Sequence, residues 1–433
     1  MKKIILILLL AVLSGCASYS QNFQQVETLL LQGKPEQALL EMEKQPKTKA
    51  DRFLYWVDKA MLQRMAGLYP QSNQSFEAAK AVIEELDGIS VVEQVGALTI
   101  NDAVLSYEGE SYEQVAIHVY AALNYIQLGL WDEARVEALQ VDVRLKALAK
   151  AQDDDDANIY TEDAFSRYLT AFIYEQGGEW SDAMIAYRKA YQAYIKYQKS
   201  FAVAVPSFLK HDLLRLSKKM GLDKEYQGYQ QQFKLQKPHL TNDAQAGEVV
   251  LLFHHALAPI KRAQEIVVYN HEGIALRISM PYYQSRASRV KKVQLHIGKH
   301  VVETVLVNDF DAIARASLEQ HKPAMIARLI ARTMLKKAAA KKAERNNGAF
   351  AGFLLNVAGI LTETADTRSW LTLPKNIHFA RLRLKAGTYP AKLSLIGQQG
   401  QVISTITMPD VLIQQRQKTV IEKTWLGLAA TTP

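Results

Sequence analysis

Residues 128–134 read Leu128-Gly129-Leu130-Trp131-Asp132-Glu133-Ala134. A glycine closing one apolar-periodic stretch, with an alanine five residues on in the next, describes the turn of a helical hairpin. Glycine takes the positive φ of a helix C-cap at no steric cost, and alanine lets the following helix approach its partner closely. The same spacing recurs at Gly33 and Ala38 and at Gly178 and Ala183. From about residue 22 to 235 the apolar residues keep helical rather than strand spacing, with turn signals between segments. This region is predicted to be all-helical and built of hairpins.

Gly33 and Gly67 lie 34 residues apart, the tetratricopeptide period, and the quoted turn resembles the turn of such a repeat. Later spacings drift, with 49 residues from Gly129 to Gly178 and 43 from Gly178 to Gly221, so about five irregular hairpins are predicted. The acidic run Asp153 to Asp156 lengthens one of them. It lacks the alternate ligands and central glycine of an EF-hand loop and reads as a solvated loop.

Polar turn formers from Gln236 to Asp243 end the helical pattern. β-Branched, partly alternating runs follow at Glu248 to Phe253, Glu265 to Tyr269, Ile274 to Met280, Val290 to Ile297 and Val301 to Val307, with Gly298-Lys299 as a hairpin turn. More come at Ile377 to Leu384, Tyr389 to Ile396, Val402 to Met408 and Thr419 to Lys423, and helical stretches at Phe310 to Arg345 and Ala349 to Leu361 interrupt the series. The predicted architecture is multidomain α plus α+β. A tetratricopeptide-like helical solenoid over 16–240 precedes a β-sandwich-like domain over 241–433 that carries a helical insertion at 308–361.

The chain has 433 residues, which at roughly 150 per domain also suggests two or three domains. One cysteine excludes an intramolecular disulfide and any thiolate-rich metal site. The formal charge of +8 divides as +2 over residues 1–20, −7 over 21–240 and +13 over 241–433. Such asymmetry argues for two modules, the second facing something anionic such as phospholipid head groups, a cell-wall polymer or an acidic protein face.

Met1-Lys2-Lys3, the apolar run Ile4 to Leu13 and Ser14-Gly15-Cys16-Ala17-Ser18 are the three parts of a secretory signal, and the run is too short to span a bilayer. Leu13-Ser14-Gly15-Cys16 resembles the lipobox of bacterial lipoproteins, which implies removal of residues 1–15 and acylation of Cys16. Acyl chains there would anchor the protein stably. Ala17, where the inner-membrane retention signal would have Asp, implies the periplasmic face of the outer membrane, where no nucleic acid is expected.

No Gly-x-Ser-x-Gly elbow, phosphate loop, His-Glu-x-x-His or thiol nucleophile is present, so no catalytic, cofactor or metal residues are assigned and a non-enzymatic protein is expected. His254 and His255 are neighbours on a strand, so their rings point to opposite faces and cannot share one ion; one is expected packed inward and the other solvated. Tyr187, Tyr191 and Tyr194 share a helix face, with Tyr197 close to it. This suits recognition of peptide or glycan, although an interhelix core has the same spacing and is the stronger reading. Candidate anion contacts are Arg286, Arg289, Lys291 and Lys292 before the hairpin and Arg381, Arg383 and Lys385 on one face of a later strand. The apolar stretch 349–361 follows Lys336, Lys337, Lys341, Lys342 and Arg345. Being apolar all round, it is expected to be buried on the sheet or in a partner rather than to lie on a membrane.

The segments Tyr107-Glu108-Gly109-Glu110-Ser111-Tyr112-Glu113 with His118 to Tyr125, Gly247-Glu248-Val249-Val250 with Leu257-Ala258-Pro259-Ile260-Lys261, and Ala365-Asp366-Thr367-Arg368-Ser369-Trp370 with Leu373-Pro374 are similar to an uncharacterised family of bacterial tetratricopeptide-containing lipoproteins. Members are often encoded beside an outer-membrane lipoprotein activator of penicillin-binding proteins, which implies a role in envelope or wall assembly. The residues alone read Asp366, Arg368 and Trp370 as a structural corner, Asp pairing with Arg and Trp packing beneath. The leading expectation is a periplasmic scaffold that binds a protein partner through its helices; the alternative is a glycan-binding or glycan-cleaving protein acting through the C-terminal domain.

Overall fold

The computed structural model describes residues 19–87, 105–150, 160, 162–235, 245–269, 275–347 and 365–427. Cys16, the run Asp153 to Asp156 and the apolar stretch 349–361 lie outside the described residues. A short α1 (Tyr19–Asn22) leads into paired helices: α2 (Gln24–Leu31) with α3 (Pro35–Glu43), α4 (Arg52–Met65) with α5 (Tyr69–Asp87), α6 (Ser111–Gln127) with α7 (Trp131–Lys150), α8 (Ala164–Gln176) with α9 (Trp180–Ser200), and α10 (Ser207–Lys219) with α11 (Asp223–Phe233). Each pair turns on a glycine with φ between +68° and +77°: Gly33, Gly67, Gly129, Gly178 and Gly221. Ala38, Ala134 and Ala183 are fully buried, and in the second hairpin Ser72 takes that place, its hydroxyl donating to the Ala60 carbonyl at 2.8 Å. Small residues at these positions let paired helices approach closely.

The strand-rich half holds two four-stranded sheets. One runs in the order β10 (Lys418–Trp425), β1 (Ala246–Leu257), β7 (Pro374–Lys385), β6 (Val305–Asp309), with β1 and β10 parallel and the other pairs antiparallel. The other is antiparallel, in the order β5 (His300–Glu303), β4 (Val290–Ile297), β8 (Gly387–Gly397), β9 (Val402–Ile413). Val249, Leu251, Phe253 and Leu384 of the first sheet share a core with Val293, Leu295, Leu393 and Leu395 of the second. A separate ribbon, β2 (Ile260–Tyr269) with β3 (Ala275–Gln284), packs Ile278 and Met280 against Met325, Ile326 and Leu329 of the long helix α12 (Phe310–Asn347).

All twelve residues of β1 are buried, because its sheet is covered on both faces. Val250, Leu252, Ile377 and Phe379, which alternate with the residues facing the other sheet, belong to the same hydrophobic cluster as the helices. The Phe379 ring lies 5.3 Å from Tyr168 and 4.8 Å from Phe208. The large core is therefore built by both halves of the chain, so the charge asymmetry between them does not mark two independent modules.

Candidate functional site

Alternation along the strands dictates what lies in the seam between helices and sheet. Glu248 pairs in register with Arg383 and Lys418, Val250 with Arg381 and Val420, and Leu252 with Phe379 and Glu422. Cross-strand partners share a face, so these rows form one surface on which charged and apolar side chains alternate. Since Val250, Leu252 and Phe379 pack on the helices, the charges between them enter the seam too.

Glu248, Arg381, Lys418 and Glu422 of the seam each meet an opposite charge. Arg381 reaches Asp212 of α10 at 2.5 Å, Tyr168 of α8 at 2.8 Å, and Glu248. Glu175 of α8 accepts from Arg215 at 2.8 Å and from the Tyr187 hydroxyl at 2.7 Å, with Lys418 at 3.7 Å. Burial raises the Glu175 carboxyl, but Lys418, Arg215 and Arg381 outweigh it and hold it below the usual carboxylate range. Farther along, Glu422 bridges Arg64 of α4 and His254, whose Nε2 is 2.5 Å away; burial opposes its charge, yet Arg64 and the contact with His254 bring its pKa down to about 2.

A second contact set lies near Trp370, which is 1% exposed with its ring 6.1 Å from Phe76 and 6.2 Å from Tyr120. Its backbone N–H donates to Glu113 of α6 at 2.8 Å, and the Thr372 N–H and hydroxyl donate to Asp58 of α4. Arg368 pairs with Asp366 at 2.7 Å and donates to the Ala50 and Leu105 carbonyls. Lys261 pairs with Glu110, which caps α6. Burial raises Asp58 to about 6 against hydrogen bonds from Tyr19 and Thr372; burial and the Glu110 charge raise Glu113 to about 7. The helical half thus supplies most of the acids and the strand-rich half most of the bases.

These contacts relocate several sequence-predicted residues. Tyr187 and Tyr194 are fully buried, the latter donating to the Val307 carbonyl at 3.0 Å, and Tyr197 bonds Asp163. The tyrosine stripe is therefore core and presents no peptide or glycan surface; Tyr191 alone is half-buried, 5.3 Å from Phe233. Arg381, Arg383 and Lys385 do share a face, but it is turned toward the helices: Arg381 is buried, Arg383 half-buried, and only Lys385 is exposed. Arg286 is tied to Glu27 and to the Leu371 carbonyl, whereas Arg289, Lys291 and Lys292 are exposed, the last paired with Glu303 at 2.7 Å.

His254 and His255 do face opposite sides, but neither is solvated; each is 1% exposed, because both faces of their sheet are covered. The His255 Nε2 is 2.9 Å from the Ser288 hydroxyl, and burial, with His378 and Lys375 nearby, lowers its pKa to about 3. A buried neutral imidazole beside a hydroxyl completes hydrogen bonding in a core. Among the described residues no group of three or more His, Cys, Asp or Glu side chains is placed to hold a metal ion, and no helix is long and apolar enough to cross a membrane.

The acidic members of the seam carried a signal that pattern reading missed. Asp212 shares its helix face with Leu209 and Leu216, and Asp58 follows Val57 within a run of buried residues. A charge on an apolar stripe implies a buried partner.

No protein-family model matches the chain, and no curated protein matches it. Among solved structures the chain is similar to MamA, with 12% identity over 47% of this chain and 89% of that one, at a TM-score of 0.30. It is also similar to a Podosopora anserina protein with nearly identical TPR-like repeats, with 14% identity over 49% and 92%, at 0.31. Likenesses at these scores carry no argument, and the description of the helical half rests on its own hairpins.

Proposed function

We propose that the chain is a non-enzymatic scaffold of the bacterial cell envelope, tethered through acylated Cys16 to the periplasmic face of the outer membrane and holding a protein partner on its tetratricopeptide-like hairpins. The observation that supports this most is on α7. Val136, Leu139 and Val143 follow one another at helical spacing and are 54%, 41% and 57% exposed, beside Leu128 and Leu130 of the preceding turn. A contiguous apolar patch exposed to water marks an interaction surface. The partner docks there because the strands already cover the other side of the hairpins. The anchor rests on the lipobox-like segment ending at Cys16, and the envelope role on the resemblance carried by 107–125, 247–261 and 365–374. Arg289, Lys291 and Lys385 are the exposed cations through which the strand-rich half would meet an anionic polymer or lipid surface.

Photoreactive residues at Val136 and Val143, introduced separately into the full chain in intact cells, test the reading. Both positions should give the same discrete protein adduct in the outer-membrane fraction, Gln192 should give none, and Cys16→Ala should move the chain out of that fraction. Different adducts from the two positions, or acylated outer-membrane chain from the Cys16 variant, would contradict it.

A further inference from the structure

A cavity of about 520 Å³ opens where the ends of β1, β7 and β10 meet α8, α9 and α10. Five cations line it: Arg215, Lys219, Arg383, Arg416 and Lys418. The acids in its wall are Glu175 and Glu248, leaving three positive charges in excess. Arg215 and Lys418 lie beside Glu175, and Glu248 is engaged by Arg381, while Lys219 and Arg416 stand exposed at the rim.

Three observations show how the wall is built. Arg215 is 9% exposed, yet its Nε has no hydrogen-bond partner, and a buried guanidinium donor without an acceptor is costly unless something supplies one. Lys219 and Lys418 are each held below the ordinary lysine range, first by burial, with Arg215 adding to it in both cases and Glu175 opposing it. Arg416 sits at φ +58°, a left-handed conformation that side-chain-bearing residues rarely adopt. The turn that holds it is clamped onto β1: the Arg416 N–H donates to the Ala246 carbonyl, and a Cβ on Gly247 would come within 2.1 Å of the Gln414 carbonyl oxygen. Lys219 is likewise placed, its Nζ 3.1 Å from the centre of the Trp180 ring.

We propose that this cavity binds a small anionic ligand carrying two or more phosphate or carboxylate groups. Arg416 and Lys219 grip it at the mouth, and Arg215 and Lys418 face its inner end. Guanidinium and ammonium donors form charge-assisted hydrogen bonds to both kinds of oxygen, and a cleft lined by one sign of charge concentrates the opposite ion. This site is independent of the apolar patch on α7, so either can fail without the other.

Isothermal titration of the full chain with pyrophosphate and, separately, with citrate at matched ionic strength provides the test. The expected result is saturable one-to-one binding of at least one probe, with pyrophosphate alone identifying a phosphate ligand and citrate alone a carboxylate. Binding should weaken at least about tenfold in the Lys219→Ala/Arg416→Ala double variant, since two charge-assisted contacts are lost. Both side chains are exposed, so the variant should keep the parent melting temperature. Lys196→Ala/Lys199→Ala, which removes two exposed lysines of α9, should bind as the parent does. No saturable binding of either probe, parent-like affinity in the first variant, or an equal loss in the second would overturn the proposal.

Discussion

Glu422 shows how a single residue ties the two halves together: its carboxylate faces Arg64 from α4 and His254 from β1, and removing one member of such a buried set strands the others. Glu422→Gln is predicted to destabilise the protein by about 3 kcal/mol at pH 7. The pH dependence follows from two opposed groups of acids and from two buried histidines. In Glu422, Glu137 and Glu248 burial is outweighed by neighbouring cations and hydrogen bonds, so their pKa values fall below the ordinary 4.5; their stabilisation is complete above that value and is lost as pH falls, for Glu422 toward about 2. Asp58 and Glu113, raised mainly by burial to about 6 and about 7, bind protons more tightly folded than unfolded, so their contribution to stability declines as pH rises from about 4 through 7. Buried His255 and His378, lowered to about 3 and about 4, add stability as pH rises toward about 6.5 and offset that decline, so melting temperature should climb from about pH 2 to a maximum near about pH 6.5, and Glu422→Gln should flatten the climb only below about pH 4.5. A flat profile between pH 2 and 6, or an unchanged melting temperature in the variant at pH 7, would refute this assignment.

Among the elements, the hairpins were the most legible part of the sequence, because a turn glycine and a small residue five positions on are local requirements. Gly129 at φ +75° and fully buried Ala134 meet both. Ala134→Arg should destabilise by about 3 kcal/mol or more through overpacking and an unpaired buried charge. Gly129→Ala should cost only about 1–2 kcal/mol, because a Cβ there meets nothing within 4 Å and only the backbone conformation is penalised. Thermal melts of both variants give the order, and a milder effect for Ala134→Arg would show that the close approach at the turn is unimportant. The strands were legible as elements but not in their surroundings. β-Branched runs mark β1 and β7, yet nothing local says that a sheet will be covered on both sides, and so one of His254 and His255 was expected in water. For the same reason the alternation that aligned Arg381, Arg383 and Lys385 was right about their shared face and silent about what that face meets.

Across the whole molecule, the charge asymmetry that suggested an external anionic partner is answered in part within the chain. Asp212, Glu175, Glu110 and Glu27 of the acidic helical half meet Arg381, Lys418, Lys261 and Arg286 of the basic half, beside a hydrophobic cluster to which both contribute. Segment charges can be counted from a sequence, but which charges face each other depends on long-range packing, and so the seam could not be read there. Among the described residues, exposed cations remain at the cavity mouth, on the second sheet and along α12, where Lys341, Lys342 and Arg345 lie. A fragment limited to residues 241–433 would bare Val250, Leu252 and Phe379 together with unpaired Arg381, so it is no substitute for the full chain in binding work. The central claim is that helices and strands form one cooperative body joined by this seam. Differential scanning calorimetry of the full chain tests it most directly: the predicted result is a single transition whose calorimetric and van't Hoff enthalpies agree. Two separate transitions, one for the helices and one for the strands, would contradict it.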